Sequence, residues 1–261
     1  MINLKSPEEI AVMNEGGQKL GQILTELLKF AQPGIALKQI EAEANRLIDL
    51  SGGSASFKTV ADYHWATCLC VNDCIVHGIP TEYILRDGDN LTIDIGMLYK
   101  GFHTDTAWAK IVKSKASQEQ NEQEREKERF LRVGEEALWD AVNKVRPGNH
   151  IGDISEAIQT TIEGAGYSIV KSLVGHGVGR QLHEEPQVPG FLRGKIENTR
   201  KLTEGMVIAI EVIYAMGSGG AVYAGNDGWT IVTQDSSIAA VFEHTIAVTG
   251  SGVQVLTKVE N

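Results

Sequence analysis

Apolar residues in the first fifty positions recur at the three- and four-residue spacing of amphipathic helices. The segment Ser6–Glu9 predicts a helix start, with Ser6 as the N-cap, Pro7 at the first position and Glu9 completing a capping box. The apolar stripe that follows consists of Ile10, Met13, Gly17, Leu20, Leu24 and Leu27. A second helix is predicted over Leu37–Leu50, and Gly52-Gly53 ends it.

From Thr67 to Ala109 the pattern changes to the two-residue period of β-strands. The following run, Ser117–Arg129, mixes charges of both signs and leads into apolar residues at helical spacing, which favours a solvated helix end over an interaction tail. That helix is predicted to end near Arg146-Pro147-Gly148, and another is predicted over about Gly152–Gly164. The last hundred residues again have the pattern of strands and turns.

One part of the pattern occurs twice. Pro33-Gly34 precedes a helix with Ile40, Ala44 and Ile48, and 114 residues later Pro147-Gly148 precedes one with Ile154, Ile158 and Ile162. This predicts two related halves with a site between them, although two unrelated amphipathic helices would share the same periodicity. Since no linker composition separates them, we expect one catalytic domain over residues 1–261, with halves of about 1–115 and 116–261.

Composition narrows the class of protein. The chain has 261 residues, 42% of them apolar and 22% charged, with neither a membrane-length apolar run nor a signal-peptide pattern, so a cytoplasmic protein without membrane contact is expected. A formal net charge of −10 argues against bulk nucleic-acid binding and leaves open only a local basic patch that docks on RNA, so no specific nucleic-acid binding is expected. No partner pair completes a zinc site with Cys68, Cys70 and Cys74, so reduced, packed thiols are expected.

Four predicted strands each carry one acidic residue among apolar neighbours. The strands and their acids are 90–96 with Asp94, 102–109 with Asp105, 206–213 with Glu211 and 239–248 with Glu243. The first two strands form a hairpin, which predicts Asp94 and Asp105 side by side across an antiparallel pair. A single acid of this kind usually faces water, but four acids with apolar residues on both strand faces favour burial.

Buried carboxylates are costly unless they are paired or bind a cation, and no Lys or Arg lies in these predicted strands. His176, in the glycine-rich segment Val174–Arg180, adds a nitrogen ligand; phosphate binding by this segment is the weaker alternative, because it lacks a P-loop Lys-Ser/Thr pair. This oxygen-rich set suits Mn, Fe(II), Co or Zn in a catalytic site. Four acids exceed the need of one ion, so two divalent ions are predicted.

Eight short motifs, in matching order and spacing, resemble those of type I methionine aminopeptidases. They are Val76-His77-Gly78-Ile79-Pro80, Asp94-Ile95-Gly96, His103-Thr104-Asp105-Thr106, Gly175-His176-Gly177-Val178-Gly179, His183-Glu184-Glu185-Pro186, Ile210-Glu211-Val212, Asp227-Gly228-Trp229-Thr230 and Phe242-Glu243-His244-Thr245. The likeness runs from Ser6 to about Leu256. Only 31 residues separate Glu211 from Glu243, too few for the helical insertion that marks type II relatives.

The resemblance implies an α+β pita-bread fold, in which two pseudo-symmetric halves form a central antiparallel sheet with outer helices. It implies that Asp94 chelates one ion, that His176 and Glu211 hold the other, and that Asp105 and Glu243 bridge them. The implied reaction is release of the initiator methionine before a small second residue, by attack of an activated water between the ions on the first peptide bond. In that reaction Glu211 accepts and relays the proton of the water.

The resemblance also assigns residues around the substrate. His77 and His183 hydrogen-bond the substrate and the tetrahedral intermediate. The methionine pocket is lined by Tyr63, Cys68 and Trp229, while Leu182 and the segment Asp62–Trp65 depart from the usual pattern of relatives. His103 and His244 are interpreted as packing or supporting residues, and Glu184 and Glu185 as turn or surface carboxylates.

The predicted partners are nascent polypeptide N-termini, with ribosome contact a hypothesis drawn from the substrate, and a monomer is expected. Another peptidase of the same fold, such as an Xaa-Pro aminopeptidase, is the nearest alternative. A ribosome- or RNA-associated binding module without catalysis is another, but such proteins lose ligands that this chain retains. Since Ile2 is bulky, the second-residue rule predicts that Met1 stays on this chain.

Overall fold

A computed structural model describes residues 2–114 and 122–259 of the chain. The predicted charged run therefore lies partly outside the described residues: nothing is described for 117–121, and Glu122–Arg129 forms the start of a helix, as predicted. No helix in the described ranges is both long and apolar enough to span a membrane.

Four α-helices are described: α1 (Pro7–Phe30), α2 (Leu37–Leu50), α3 (Glu122–Val142) and α4 (Ile151–Gly164). Helix α1 starts as predicted, because the Glu9 N–H donates to the Ser6 hydroxyl (3.3 Å) and the Ser6 N–H donates to Glu9 Oε2 (3.0 Å). The bounds of α2 agree with the prediction. Helix α3 ends at Val142, earlier than predicted, and α4 starts one residue earlier.

Thirteen strands are described, with lengths from two to eleven residues. They are β1 (Ser54–Ala55), β2 (Thr67–Val71), β3 (Cys74–Val76), β4 (Asn90–Tyr99), β5 (Phe102–Ile111), β6 (Ser168–Ile169), β7 (Val174–Gly177), β8 (Glu184–Pro189), β9 (Val207–Ala215), β10 (Ala221–Tyr223), β11 (Ile231–Thr233), β12 (Ala239–Thr249) and β13 (Gly252–Val255). The hairpin β4–β5 is longer than predicted. Its turn is only Lys100-Gly101, both with positive φ, which suits a tight two-residue connection.

The large sheet has the strand order β1-β4-β5-β12-β9-β7-β8. Strands β2, β6 and β13 join it by pairing with β4, β9 and β12, and every recorded pairing is antiparallel. A small sheet, β10-β11-β3, lies beside it. The apolar faces of the four helices pack with the large sheet in one core cluster. The predicted antiparallel α+β architecture with outer helices is confirmed.

The predicted repeat is present in three dimensions. Helices α2 and α4 are offset by 114 residues at both ends, as are the short strands β1 and β6. The helix starts match as well: the Ala36 N–H donates to Gln39 Oε1 (2.8 Å) and the His150 N–H donates to Asp153 Oδ2 (2.7 Å). Strands β5 and β12, one from each half, pair at the centre of the sheet. The division at residue 115 and the single domain stay predictions.

Candidate metal centre and its cavity

Three of the four predicted acids lie in one row across the sheet. On neighbouring strands, Asp94 is opposite Ala107, Ala107 is opposite Glu243, and Glu243 is opposite Glu211. Directly opposed residues of antiparallel strands point to the same face, so these side chains project together. Ala107 separates Asp94 from Glu243, and its single methyl group leaves room between their carboxylates.

The other two predicted ligands lie one step along the same face. Asp105 precedes Ala107 by two residues on β5, and His176 is opposite Ala209, which precedes Glu211 by two residues on β9. Because side chains alternate along a strand, a two-residue step keeps the same face. Asp105 is opposite Gly96, so Asp94 and Asp105 are diagonal neighbours. The prediction that Asp94 and Asp105 lie side by side across the pair is therefore wrong, because neither residue is directly opposite the other.

The carboxylate cluster and His176 offer the ligand atoms that a cation site needs. Asp105, His176 and Glu243 each place one ligand atom within 4.8 Å of the others. Asp94 Oδ1 and Glu243 Oε1 are buried and have no hydrogen-bond partner among the described residues. Leaving such oxygens unpaired is costly, and one divalent cation would satisfy several of them at once. The residues therefore fit a bound divalent ion.

Electrostatics also favour a cation at this place. Burial is the main cause that raises the pKa of all four carboxyl groups well above their ordinary values. Like charge adds to it, because Glu211 raises the pKa of Asp94, Asp94 that of Asp105, and Asp105 that of both glutamates. Without a counter-charge, the cluster holds several acids that cannot all ionise at low cost.

His176 is held as a neutral imidazole. Burial, followed by repulsion from His183, lowers the pKa of His176 to about 4. Its Nδ1 lies 2.8 Å from the Gly177 carbonyl oxygen, which places the proton on Nδ1 and leaves Nε2 free, 3.6 Å from Glu211 Oε1. The flanking glycines are required by close packing, since a Cβ at Gly175 would lie 2.4 Å from the Ala209 carbonyl oxygen.

A cavity of about 740 Å³ opens over this row, and all five predicted ligands line it. One wall is an apolar cluster that contains the three predicted pocket residues Tyr63, Cys68 and Trp229. The rings of Tyr63 and Trp229 meet edge to face at 5.1 Å, and the Tyr63 hydroxyl lies 3.1 Å from Cys68 Sγ. Cys68 is opposite Asp94 on the paired strands β2 and β4, so this pocket adjoins the carboxylate row.

His77 and His183 also line the cavity, and both are exposed. The ring of His183 meets that of His176 at 4.4 Å, and the ring of His77 lies 6.3 Å from that of Trp229. Partial burial lowers the pKa of both histidines, so the neutral form is favoured. His77 has a positive φ of 56°, a backbone conformation uncommon outside glycine that is concentrated at functional sites.

The other histidines and the cysteines lie outside these roles. His103 is buried with its Nδ1 2.9 Å from the Ser56 hydroxyl, and His244 is buried beside Thr106 and Thr257. Neither lines the cavity, in agreement with the supporting role predicted for them. All three cysteines are buried and free, as predicted.

Two charged residues differ from their predictions. Glu184 was expected at a turn or surface, but its carboxylate is 4% exposed and pairs with Lys5 at 2.6 Å. Strand β5 extends to include Lys110, so a lysine does lie in one of the acid-bearing strands. The Lys110 ammonium donates to the carbonyl oxygens of Leu28 and Ala31, at 2.8 and 3.0 Å, and does not pair with the carboxylates.

The sequence reasoning missed several cavity residues. Phe57 and Val60 complete the apolar pocket, and Asn3 reaches the cavity from the N-terminal segment. Leu182, already noted as a departure from the pattern of relatives, also lies in the pocket. The pattern around Phe57 carries no signal for a pocket, since it lies in a short 3₁₀ turn between elements. Ala107 was also missed, although an alanine between two strand acids is a detectable signal once the register is known.

Comparison with known proteins agrees with this geometry. The metallopeptidase family M24 matches residues 11–250. Methionine aminopeptidase 1 of Bacillus subtilis is 39% identical over 99% of this chain and 100% of its own, and the methionine aminopeptidase of Clostridium perfringens is 37% identical over the full length of both.

Solved structures show the same likeness. The crystal structure of methionine aminopeptidase from Thermotoga maritima has a TM-score of 0.91 and 37% identity, covering 99% of this chain and 100% of the other. The prolidase of Pyrococcus furiosus, at 22% identity and a TM-score of 0.77, shares the fold over 66% of its own chain. These neighbours confirm the predicted pita-bread fold, and the family match agrees with use of divalent metal. The chain belongs to metallopeptidase family M24 and, within it, to the methionine aminopeptidases.

Proposed function

We propose that this protein removes the initiator methionine from nascent polypeptides whose second residue is small, using two divalent ions held by the carboxylate row. The observation that carries the proposal is the set of four carboxylates and one imidazole on one sheet face, with two buried oxygens that lack hydrogen-bond partners among residues 2–114 and 122–259. In this proposal Asp94 would hold one ion, His176 and Glu211 would hold the other, and Asp105 and Glu243 would contribute to holding both. Manganese, Fe(II), cobalt and zinc all suit such ligands.

When bound, the ions supply an acidified water and a polarised scissile carbonyl. The protein supplies the arrangement around them. Glu211, beside His176, accepts a proton from the attacking water and passes it towards the leaving amine. His77 and His183 are neutral and face the cavity, so they can donate hydrogen bonds to the substrate carbonyl and to the charge that develops on it.

The pocket explains the choice of the first residue. Tyr63, Cys68 and Trp229 surround an unbranched, polarizable side chain with aromatic and sulfur groups, which suits methionine. Since Cys68 is opposite Asp94, a methionine side chain in the pocket brings its α-amino group towards the Asp94 end of the row. Binding of a free α-amino group at that end would restrict cleavage to the N-terminus.

The proposal predicts metal-dependent release of methionine. Metal-stripped protein is assayed with Met-Ala-Ser and Met-Leu-Ser after separate addition of Mn, Fe(II), Co or Zn. We expect free methionine from Met-Ala-Ser with at least one metal and almost none from Met-Leu-Ser. Cleavage of Xaa-Pro peptides in place of Met-Ala-Ser, or no release with any metal, would contradict the proposal.

A matched pair of variants ties the activity to the site. Glu243→Ala is expected to abolish turnover, whereas Glu156→Ala, which removes an exposed acid on α4, should leave it unchanged. Full activity of Glu243→Ala would rule out the assigned metal ligands.

The proposed partners are nascent chain N-termini, with contact at the ribosome, where such chains emerge. The protein is proposed to act as a monomer in the cytoplasm.

A further inference from the structure

A second groove, of about 980 Å³, adjoins the catalytic cavity. Glu185 and Gln187, both exposed, line the cavity and the groove alike. They alternate on β8 with buried Pro186 and Val188, so they stand on the rim that joins the two spaces. His183 directly precedes this strand, and a substrate chain that leaves the cavity past His183 meets this rim first.

The N-terminal segment forms a wall between the two spaces. Ile2 and Leu4 line the groove, whereas Asn3 lines the catalytic cavity. Lys5 fixes this segment, because its backbone N–H donates to the Gly205 carbonyl oxygen (2.7 Å) and its ammonium pairs with buried Glu184. The groove is therefore bounded by an anchored segment.

The rim strand offers backbone to an incoming chain. Among the described strands, β8 pairs only with β7 and is the edge of the large sheet. An extended peptide beside a sheet edge can bind through main-chain hydrogen bonds that do not depend on its sequence. Recognition of this kind suits an enzyme that acts on many different chains.

The lining of the groove includes positive charge. Arg200 and Lys201 line it, both are exposed, and neither side chain has an ion-pair or hydrogen-bond partner within the parts of the chain that the structure describes. The protein as a whole has a formal net charge of −10, so this pair is a local exception. Two exposed cations in the lining of a groove favour acidic side chains in whatever the groove binds.

We propose that this groove binds the extended segment of the substrate that follows its first three residues, and that Arg200 and Lys201 favour acidic side chains in that segment. The inference rests on the proposed methionine release and adds a preference further along the chain. Its occupant is the downstream part of the same nascent chain, since the groove continues from the catalytic cavity across Glu185 and Gln187.

The test uses three octapeptides, Met-Ala-Ser-Gly-Gly followed by Asp-Asp-Gly, Ser-Ser-Gly or Lys-Lys-Gly, with Met-Ala-Ser as the reference. For the unaltered, metal-loaded protein, kcat/KM should fall from acidic to neutral to basic peptides, by about three- to tenfold across the series. The difference should lie mainly in KM and should shrink in 0.5 M salt, because exposed charges are screened.

Charge reversal separates the groove from overall charge. The double variant Arg200→Glu/Lys201→Glu should reverse the order of the octapeptides and leave Met-Ala-Ser turnover unchanged. The matched control Arg132→Glu/Lys144→Glu alters two exposed cations outside both spaces, with the same change in net charge, and should keep the original order. The milder variant Arg200→Gln/Lys201→Gln should reduce the differences in kcat/KM among the three octapeptides.

The same order of octapeptides in Arg200→Glu/Lys201→Glu as in the control Arg132→Glu/Lys144→Glu would overturn the inference. So would equal kcat/KM for all three octapeptides, and if the protein then self-associated with increasing concentration, the groove would be an interface between copies. Failure of the proposed function itself would look different, because Met-Ala-Ser would then release no methionine with any metal.

Discussion

Glu211 and Glu243 lie directly opposite each other on β9 and β12, in the row that also holds Asp94. Glu211 follows Asp94 by 117 residues, and the two occupy matching strands of the two halves. In the same way Glu243 on β12 matches Asp105 on β5, and these strands pair at the centre. Each half therefore contributes two acids, and the carboxylate cluster exists only when the halves are joined.

Removing one acid should affect the metal-free and metal-loaded proteins in opposite ways. In chelator, we expect Glu243→Gln to raise the free energy of unfolding by on the order of 1 kcal/mol, because it removes a buried like charge. With Mn(II), the same variant should gain less thermal stability than the unaltered protein and lose more than 100-fold in activity. Thermal unfolding with and without metal measures this. A destabilised metal-free variant would contradict it, and Glu156→Gln is the control.

The buried ion pair between Lys5 and Glu184 should make part of the stability pH-dependent. Burial alone would raise the pKa of Glu184, but hydrogen bonds from Lys5 and the Gln181 backbone, with the charge of Lys5, outweigh it and lower the pKa. Because the pKa of Glu184 is lower in the folded than in the unfolded protein, its ionised form stabilises the fold above the ordinary carboxyl pKa of about 4.3. This stabilisation is lost as the pH falls through the pKa that Glu184 has in the folded protein. Lys5→Met should lower the free energy of unfolding by about 3 kcal/mol at pH 7, because it leaves the buried carboxylate of Glu184 without its partner.

Urea unfolding at pH 7 and at pH 3 measures that loss. The difference between the unaltered protein and Lys5→Met should shrink at the lower pH, and Lys5→Met/Glu184→Gln should recover part of the stability at pH 7. A difference that stays constant with pH would show that Lys5 acts through packing alone.

The methionine pocket should be sensitive to its aromatic wall. Trp229→Ala removes the ring that meets Tyr63 at 5.1 Å, so we expect KM for Met-Ala-Ser to rise about 10- to 100-fold with a smaller change in kcat. Leu182→Phe should change turnover less, because both side chains are apolar and Leu182 already packs in the pocket. Steady-state kinetics of both variants provide the check. An unchanged KM for Trp229→Ala would place methionine elsewhere.

The protein's own N-terminal sequence should be a poor substrate. Its second residue is Ile2, and a branched side chain next to the scissile bond clashes with the proposed metal centre. The peptide Met-Ile-Asn-Leu-Lys should therefore release methionine far more slowly than Met-Ala-Asn-Leu-Lys. Comparable rates would contradict the small-residue rule for this enzyme.

Local pattern predicted the elements well where their ends carry chemical signals. The capping box at Ser6 and the glycines after Leu50 fixed the start of α1 and the end of α2. The ends of β4 and β5 were not predictable, because pairing continues as far as the Lys100-Gly101 turn allows. The acids stood out since each interrupts an apolar strand, but their diagonal relationship depends on register, which sequence does not reveal.

Contacts between distant segments were beyond local reasoning. Lys5 and Glu184 are 179 residues apart, and neither has neighbours that indicate burial. Leu182 and Phe57 enter one pocket from different halves of the chain, so no spacing rule connects them. The groove beyond Glu185 likewise arises from the arrangement of the N-terminal segment, β8 and residues 198–206.

Anomalous diffraction from crystals grown with Mn(II) tests the central claim most directly. The account predicts two strong peaks among Asp94, Asp105, His176, Glu211 and Glu243, with Asp105 and Glu243 contacting both. Ions found only outside this set, or no ion in active crystals, would contradict it.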